Sequence, residues 1–420
     1  MDLKLNDDQN MLKKVAADFV KAEAPSYVIT DWYQKKLAFI PTLYKKTAEV
    51  GWLGMMVPDE FGGGGTSRMD CAAVFEELGR GPLPGPYFSC GVLAAQLILD
   101  GGSPQLKKTW LAKICDGIAV IIPALSDDQI QFGPLSVQTR AFKSGDGYNL
   151  TGTKRFVQDG AAASHFIVAA RDEVGQVVLA LVDRNAPGVG VNVVDGFMIG
   201  AVEVKLDGVT VTKDAMLNGS AGGWSVVESS LGKTLPILCA YKVGACQEIF
   251  DMTNEYTRTR VVFGQPIGRF QRVQDHCVDI SIHLDGARWT TYETVWKLDS
   301  GVEARANALA GGDAGPLDVE LDCVGAQGLD LVERLAPGID PALQEQVVVL
   351  EQRGLARAGR GRRGQDAEDG AQGSDEQKCA KRVHRKASRK GSRSALRTVL
   401  TKQGHGAGVA AVTPLGQRVR

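Results

Sequence analysis

The aromatic residues of this chain stop before residue 301, and this boundary limits where a packed core can form. The 420 residues include 13 Phe, 8 Tyr and 6 Trp, and none of them lies in residues 301–420. That segment also has no Met and a single isoleucine, Ile339. Such a composition buries too little apolar surface to offset the entropy lost on ordering. We therefore expect residues 301–420 to be a poorly ordered, low-complexity tail, with one helix around residues 341–357.

Residues 1–118 carry patterns that are typical of helices. Asn6 and Gln9 predict an N-cap with a capping-box partner ahead of an apolar stripe. Further stripes of helical period lie at 37–50, 70–78, 93–99 and 106–114. The glycine-rich run at 51–65 lacks the Gly-Lys-Ser/Thr ending of a phosphate loop, so it predicts a flexible turn. An N-terminal all-α domain is expected over residues 1–118.

The periodicity changes in the middle of the chain and then changes back. Short β-branched runs predict strands at 166–170, 177–182, 189–194 and 202–206. They indicate a small central β-sheet domain over residues 119–218. Residues 219–300 hold two long apolar-periodic segments, 224–258 and 269–298, on either side of a Gly264-Gln265-Pro266 turn. The expected fold class is therefore multi-domain α+β, ending in a helical bundle that is truncated at the composition boundary.

Charge, cysteine and histidine patterns exclude several classes of function. The formal net charge of −1 gives no overall attraction to nucleic acid. The apolar runs are too short to span a bilayer, and no secretory signal is visible at the N-terminus. The eight cysteines contain no CxxC pair and no histidine has metal-ligand spacing, so we expect no metal site and a reducing cytoplasm. The basic run at 378–397 has no interleaved aromatic residues, which argues against a nucleic-acid or membrane partner.

The turn between the two long helical segments carries the strongest functional pattern. Arg260 lies close to Phe263, and Gln271 follows on the next helix. A guanidinium group pairs in bidentate fashion with pyrophosphate, and amide side chains bind nucleotides. The pattern therefore predicts a phosphate-bearing cofactor.

Three segments in order resemble the acyl-CoA dehydrogenase family over roughly the first 300 residues. Residues 51–63 with Glu76-Glu-Leu-Gly-Arg80 resemble its N-terminal domain, and Gly147-Tyr-x-Leu-x-Gly-x-Lys154 resembles its β-domain signature. The turn beginning at Arg260 is similar to the family segment Arg-x-x-Phe-Gly-x-x-Ile-x-x-Phe-Gln-x-x-Gln. The resemblance implies FAD as cofactor, with its pyrophosphate near the helical domain of a neighbouring subunit, and hence a homo- or hetero-oligomer.

The resemblance also implies roles for individual residues at the helical turn. Arg260 would pair with the pyrophosphate, Phe263 would pack beside the nucleotide, and Gln271 would contact the dinucleotide. The alternative for Arg260 is a surface cation at a helix end.

In the β domain the resemblance implies a second group of cofactor residues. Leu125 and Ser126 stand where the family places a hydroxyl against the flavin. Phe156 and Gln158 stand where the family commonly has a Trp and a Thr or Ser at the flavin ring. A turn hydroxyl for Ser126 and a core aromatic for Phe156 are the alternatives.

The implied reaction is α,β-desaturation of an acyl-CoA thioester, with hydride transfer to FAD and electrons passed to an electron-transferring flavoprotein. It needs a carboxylate base. The late Tyr-Glu-Gly-Thr-like segment that supplies this base in most members is absent. The alternative position at 233–236 has no carboxylate, and Leu235 replaces the common Arg. No catalytic residue is assigned.

Further departures lie on both sides of the composition boundary. Phe132-Gly133-Pro134 replaces a Gly-Ser-Asp near the flavin, and Gly325-Ala-Gln-Gly328 is a poor substitute for the Gly-Gly motif. A reading-frame shift near residue 301 would explain the tail and would make the chain a truncated or inactive product. A non-catalytic subunit of a heteromeric enzyme would also explain Leu235 and Phe132, which precede the boundary.

Overall fold

The computed structural model describes residues 4–127, 132–194, 199–217 and 222–302. The expected order of a helical part, a sheet and a second helical part is confirmed. The first part contains α1 (Asp7–Glu23), α2 (Ser26–Gln34), α3 (Pro41–Glu49), α4 (Arg68–Arg80), α5 (Ala95–Gly101) and α6 (Pro104–Cys115). A π-helical segment, Tyr87–Ala94, leads directly into α5. The predictions for the tail beyond residue 302, including its helix, its glycine motif and the frame shift, lie outside the described residues.

The local signals of the first part are mostly confirmed, with two corrections. The Asn6 side chain accepts the Gln9 N–H at 2.8 Å, and the Gln9 side chain accepts the Asn6 N–H at 3.0 Å, which forms the capping box. The stripe at 37–50 is not one helix, because α3 begins only at Pro41 and the preceding residue is extended. The run at 51–65 is not a loose turn, since Trp52 and Leu53 are buried in it.

A seven-stranded sheet forms the middle of the chain. Its strands are β1 (Ile121–Ala124), β2 (Arg140–Ser144), β3 (Gly147–Val157), β4 (His165–Arg171), β5 (Val177–Asp183), β6 (Val189–Val193) and β7 (Val202–Val211). The order across the sheet is β1-β4-β2-β3-β7-β6, and β5 also pairs with β4. The runs predicted as strands are β4 to β7, whereas β1, β2 and β3 were not predicted.

A β-bulge interrupts the antiparallel pairing of β3 with β7. Lys154 pairs with Val204 and Val157 pairs with Val202, so two residues of β3 stand opposite one residue of β7. The bulged residues are Arg155 and Phe156, and Phe156 has a positive φ of 52°. A bulge re-aims side chains and increases local twist, and bulges are common next to active sites.

Two long helices follow the sheet. They are α7 (Gly223–Thr259) and α8 (Gln271–Asp299), and a short hairpin of β8 (Val261–Val262) and β9 (Gln265–Pro266) joins them. The apolar period predicted both helices to within two residues of their observed ends. At 1.5 Å per residue, the 37 residues of α7 extend over about 55 Å.

Helix α7 packs very closely against α4. A Cβ added to Gly244 of α7 would lie 1.7 Å from the Glu76 carbonyl oxygen, and one added to Gly79 of α4 would lie 1.9 Å from the Tyr241 carbonyl oxygen. Only glycine permits this backbone approach at both points. The crossing fixes the second helical part against the first.

A buried carboxylate connects α8 to the same crossing. Glu76 is 2% exposed and accepts a hydrogen bond from the Tyr292 hydroxyl at 2.5 Å. Glu76 also pairs with Arg288 of α8 at 3.4 Å and with Lys13 of α1 at 3.1 Å. The buried charge is therefore paired and hydrogen-bonded, as burial of a carboxylate requires.

Candidate functional site

The predicted flavin residues of the sheet lie at the carboxyl end of β1, beside the β3 bulge. The Arg155 backbone N–H donates to the Ser126 carbonyl at 3.2 Å. The Lys154 ammonium donates to the Leu125 carbonyl at 3.3 Å. The structure therefore brings Leu125 and Ser126 next to the segment that contains Phe156. Sequence spacing alone could not show this, because the two segments are about thirty residues apart.

A buried ion pair stabilises this arrangement. The Lys154 ammonium lies 2.8 Å from an Asp127 carboxylate oxygen, and the two side chains are 0% and 4% exposed. Asp127 also accepts the Gln138 N–H at 2.9 Å and the Thr139 hydroxyl. Burial lowers the pKa of Lys154 to about 8, while the Asp127 charge opposes that shift. At neutral pH the ammonium therefore remains largely protonated.

Phe156 and Gln158 are presented to solvent. Phe156 is 46% exposed, which disagrees with the alternative that it is a core aromatic. Its positive φ is uncommon for a large side chain and marks a backbone that its surroundings hold in place. Gln158, two residues later in the chain, is also exposed, and Val157 between them is buried. An exposed aromatic beside an exposed amide suits a planar, hydrogen-bonding ligand.

Asp159, which the sequence reasoning missed, is the next residue and is half-buried. Its carboxyl accepts the Ser89 hydroxyl of the π-helical segment at 2.5 Å. Burial raises the pKa of Asp159 to about 6, and the Ser89 hydrogen bond opposes the rise. Burial, followed by the Asp159 charge, raises the pKa of Tyr241 on α7 to about 12. The sequence did contain a signal for Asp159, because it is an acidic residue inside the segment that the family resemblance assigns to the flavin ring.

The second predicted group lies at the hairpin between α7 and α8. Arg260 ends α7 in an extended conformation, and its side chain is exposed. Phe263 has a φ of 54° and is 91% exposed, and it packs edge-to-face with Phe270, with ring centroids 6.4 Å apart. Gln271 is exposed at the first position of α8. All three predicted residues are therefore exposed within the segment that joins α7 to α8.

A groove of about 500 Å³ opens at the same hairpin. Its lining comes from the end of α7 and the start of α8 and includes Arg258 and Arg269. The Gln274 side chain lines it too and donates to the Gly268 carbonyl at 2.9 Å. Clustered guanidinium groups around an open groove favour an anionic ligand.

The sheet lies along the first half of α7, whereas the hairpin follows the end of this helix. Its first residue, Gly223, lies against β5, where an added Cβ would be 2.7 Å from the Val177 carbonyl. The neighbouring Trp224 packs on Phe132 of the loop after β1, with ring centroids 5.3 Å apart. Arg260 lies about 55 Å from Gly223, but only about 28 Å along the helix from Tyr241, at 1.5 Å per residue. The charge of Asp159, which is next to Gln158, acts on Tyr241. One chain therefore supplies two separate surfaces and not one closed site.

The position that the family uses as an alternative source of the base holds a cation in this chain. Lys233 of α7 pairs with Asp100 of α5 at 2.6 Å, and the Ser230 hydroxyl donates to the same carboxyl at 2.9 Å. Leu235 is buried in the helix. Residues 233–236 have no carboxylate, and the structure adds that Lys233 engages the carboxylate of Asp100.

Two other features are absent from the part of the chain that the structure describes. In residues 4–302 outside the three gaps, no group of three or more His, Cys, Asp or Glu side chains could hold a metal ion. Over the same residues, no helix has both the length and the apolar character to cross a membrane.

Comparison with protein families gives three matches in chain order. The acyl-CoA dehydrogenase N-terminal domain matches residues 6–118, the middle domain matches 124–205 and the C-terminal domain matches 221–310. The acyl-CoA dehydrogenase FadE27 of Mycobacterium tuberculosis (strain ATCC 25618 / H37Rv) is 32% identical over 278 residues, which cover 64% of this chain and 72% of that protein. The probable acyl-CoA dehydrogenase YngJ of Bacillus subtilis (strain 168) is 26% identical over 310 residues, which cover 71% and 81% of the two chains.

Solved structures show the same fold. The ChsE4-ChsE5 complex from Mycobacterium tuberculosis has a chain that is 28% identical, with a TM-score of 0.68 and coverage of 80% of this chain and 86% of that chain. Glutaryl-CoA dehydrogenase from Mycobacterium smegmatis is 23% identical, with a TM-score of 0.69 and coverage of 79% and 84%.

Proposed function

Because the chain belongs to the acyl-CoA dehydrogenase family, we propose that it binds FAD and acts in the α,β-desaturation of an acyl-CoA thioester. The observation that carries the proposal is the exposure of Phe156 and Phe263, each held at positive φ on the surface where the family resemblance puts the cofactor. Exposing two phenylalanines on strained backbone is unfavourable without a ligand.

The residues at each surface fit the two parts of a flavin dinucleotide. At the hairpin, Arg260 would pair with the pyrophosphate, Phe263 would pack on the nucleotide, and Gln271 would donate its amide. At the sheet, Ser126 and Gln158 would hydrogen-bond the flavin beside Phe156. When bound, FAD supplies the acceptor for the hydride that leaves the β carbon of the substrate.

The family resemblance implies a second chain, because it puts the FAD pyrophosphate near the helical domain of a neighbouring subunit. The sheet of one subunit and the hairpin of another would then hold each FAD. We therefore propose a homo- or hetero-oligomer in the cytoplasm that passes electrons to an electron-transferring flavoprotein.

A second candidate is a non-catalytic subunit that shares FAD with a catalytic partner. The observation that favours it lies in α7, where Leu235 is buried and Lys233 is paired with Asp100, so the 233–236 position offers no base. The similar chain in a complex of ChsE4 with ChsE5 shows that a member of this fold occurs beside a differently named subunit. In that case the partner would supply the carboxylate.

Reconstitution with FAD tests the proposed function. The purified full-length chain would be mixed with FAD, freed of excess cofactor and examined by visible absorbance, alone and with a candidate partner subunit. We expect Arg260→Ala to lose most of the bound flavin, with a dissociation constant raised about tenfold or more, because a charge-assisted pair is removed. Arg272→Ala is the matched control, since Arg272 is 80% exposed on the neighbouring turn.

Acyl-CoA thioesters added to the flavin-loaded protein then separate the two candidates. Bleaching of the flavin, or turnover with a dye acceptor, by the chain alone supports the catalytic reading. Flavin binding without bleaching, restored by a partner subunit, supports the non-catalytic one. A wild-type chain that binds no FAD in either setting would refute both.

A further inference from the structure

The buried contacts around Asp127 converge on the two backbone segments that carry the predicted flavin residues. On one side lies the loop of Leu125 and Ser126, and on the other lies the β3 segment that leads into the Phe156 bulge. The Lys154 ammonium bridges them, because it donates both to the Leu125 carbonyl and to the Asp127 carboxylate. The Arg155 N–H adds a backbone bond to the Ser126 carbonyl.

Three donors fix the position of the Asp127 carboxylate. Its two oxygens accept from the Lys154 ammonium, the Gln138 N–H and the Thr139 hydroxyl. Gly152 leaves room for this arrangement, since a Cβ there would lie 2.7 Å from the Thr139 Cα. The carboxylate is thus surrounded by donors from the two segments that follow it in the chain.

Stability alone does not explain such a pair. A buried ion pair is often no more stabilising than apolar side chains of similar volume, although removing one partner is costly. The pair fixes a distance. A buried ammonium with two fixed acceptors sets the separation between its own segment and the segment that carries the acceptors. Those segments are the ones that the proposed function places against the flavin.

We propose that Asp127 and Lys154 are positioning residues that set the spacing between the Leu125–Ser126 loop and the Phe156 bulge for the bound flavin. This inference rests on the proposed function, because it requires that FAD binds at this surface. Neither side chain touches the cofactor, since both are buried beneath the loop. Their removal should therefore alter how the flavin is held and not remove a contact with it.

The test combines isosteric variants with direct observation of bound flavin. Asp127→Asn, Lys154→Met and Thr139→Val would be made in the full-length chain, with Lys143→Met on the exposed face of β2 as the matched control. We expect the first two to raise the FAD dissociation constant about tenfold. We also expect them to shift the visible circular dichroism of the bound flavin, and Thr139→Val to give a smaller change in the same direction.

A double variant separates positioning from folding. Asp127→Asn with Lys154→Met removes both charges and keeps an acceptor for the Gln138 N–H and the Thr139 hydroxyl, so the apoprotein should unfold close to the wild-type temperature. We expect it to fold but to bind FAD as weakly as the single variants. If single variants do not fold, the double variant and Thr139→Val decide the question.

The outcomes distinguish this inference from the proposed function. A wild-type chain that binds no FAD refutes the proposed function. A wild-type chain that binds FAD, with folded variants that match its dissociation constant and its flavin dichroism, refutes the positioning role alone. An equal change in Lys143→Met would also refute it, because the effect would then not be specific to the buried pair.

Discussion

Asp159 shows how a single residue can carry an unfavourable charge next to a functional surface. Its side chain is half-buried, and its carboxyl accepts a hydrogen bond from Ser89. The ordinary pKa of 3.8 rises to about 6, because burial disfavours the charged form. Between these values the folded chain keeps a proton that the unfolded chain has released. Stability from this group therefore falls as the pH rises from about 4 to about 6.

Asp159→Asn removes this penalty and keeps an oxygen that accepts from Ser89. We expect the variant to be more stable than the wild type by about 1–3 kcal/mol at pH 7. The difference should shrink as the pH falls to 4, where the wild-type carboxyl is protonated in the folded chain. Thermal unfolding of the apoprotein at several pH values measures it.

Ser89→Ala should change the free energy of unfolding in the opposite direction. It removes the hydroxyl that stabilises the Asp159 carboxylate, so it should lower stability more at pH 7 than at pH 4. A pH-independent difference between Asp159→Asn and the wild type would show that the residue does not carry the raised pKa.

At the scale of elements, the success of the sequence predictions follows from periodicity. Helices α7 and α8 repeat an apolar stripe over many turns and are separated by Gly and Pro, so their bounds could be predicted closely. Strands β1 to β3 could not, because β1 is four residues long and the signature at Gly147–Gly152 reads as a turn although it lies inside β3. The Phe156 bulge depends on pairing with β7, about fifty residues later, which no local pattern encodes.

The crossing of α4 and α7 makes an element-scale prediction about glycine. We expect Gly244→Ala to destabilise the chain by about 1–3 kcal/mol or more, because its Cβ would meet the Glu76 carbonyl of α4. Gly232→Ala lies in the same helix, with nothing within 4 Å of the added Cβ. It should stabilise by roughly 0.5–1 kcal/mol through higher helix propensity.

Denaturant unfolding of the two variants beside the wild type provides the measurement. If both alanines had the same effect, the close backbone approach between α4 and α7 would be wrong. The contrast is informative because the chemical change and the helix are the same in both variants.

For the whole molecule, the central proposal is that each chain presents half of two different sites. The segment with Phe156 leads to Asp159, which acts on Tyr241 in the middle of α7, whereas Arg260 lies at the end of this helix. The resemblance to a family could predict both sets of residues, and it also implied a neighbouring subunit. The three-dimensional arrangement adds that the two sets lie in different parts of one chain, the sheet and the hairpin.

Mixing two inactive variants tests this arrangement. Arg260→Ala damages the hairpin half and Phe156→Ala damages the sheet half, so each variant alone should bind FAD weakly. After subunit exchange in a two-fold dimer, half of the assemblies contain both chains, and each of these has one intact site. We expect about a quarter of all sites to regain flavin. No recovery after proven exchange would place both halves in one chain.

The separation of the sheet surface from the hairpin surface, with the proposed second chain, also has a consequence for how the protein would respond to its own concentration. A dinucleotide held between two chains acts as a bridge, so cofactor loading and association become linked equilibria. At a fixed supply of flavin, dilution of the protein would release the cofactor, and scarcity of flavin would favour separate chains. The amount of assembled protein would then follow the product of two concentrations, that of the chain and that of its cofactor.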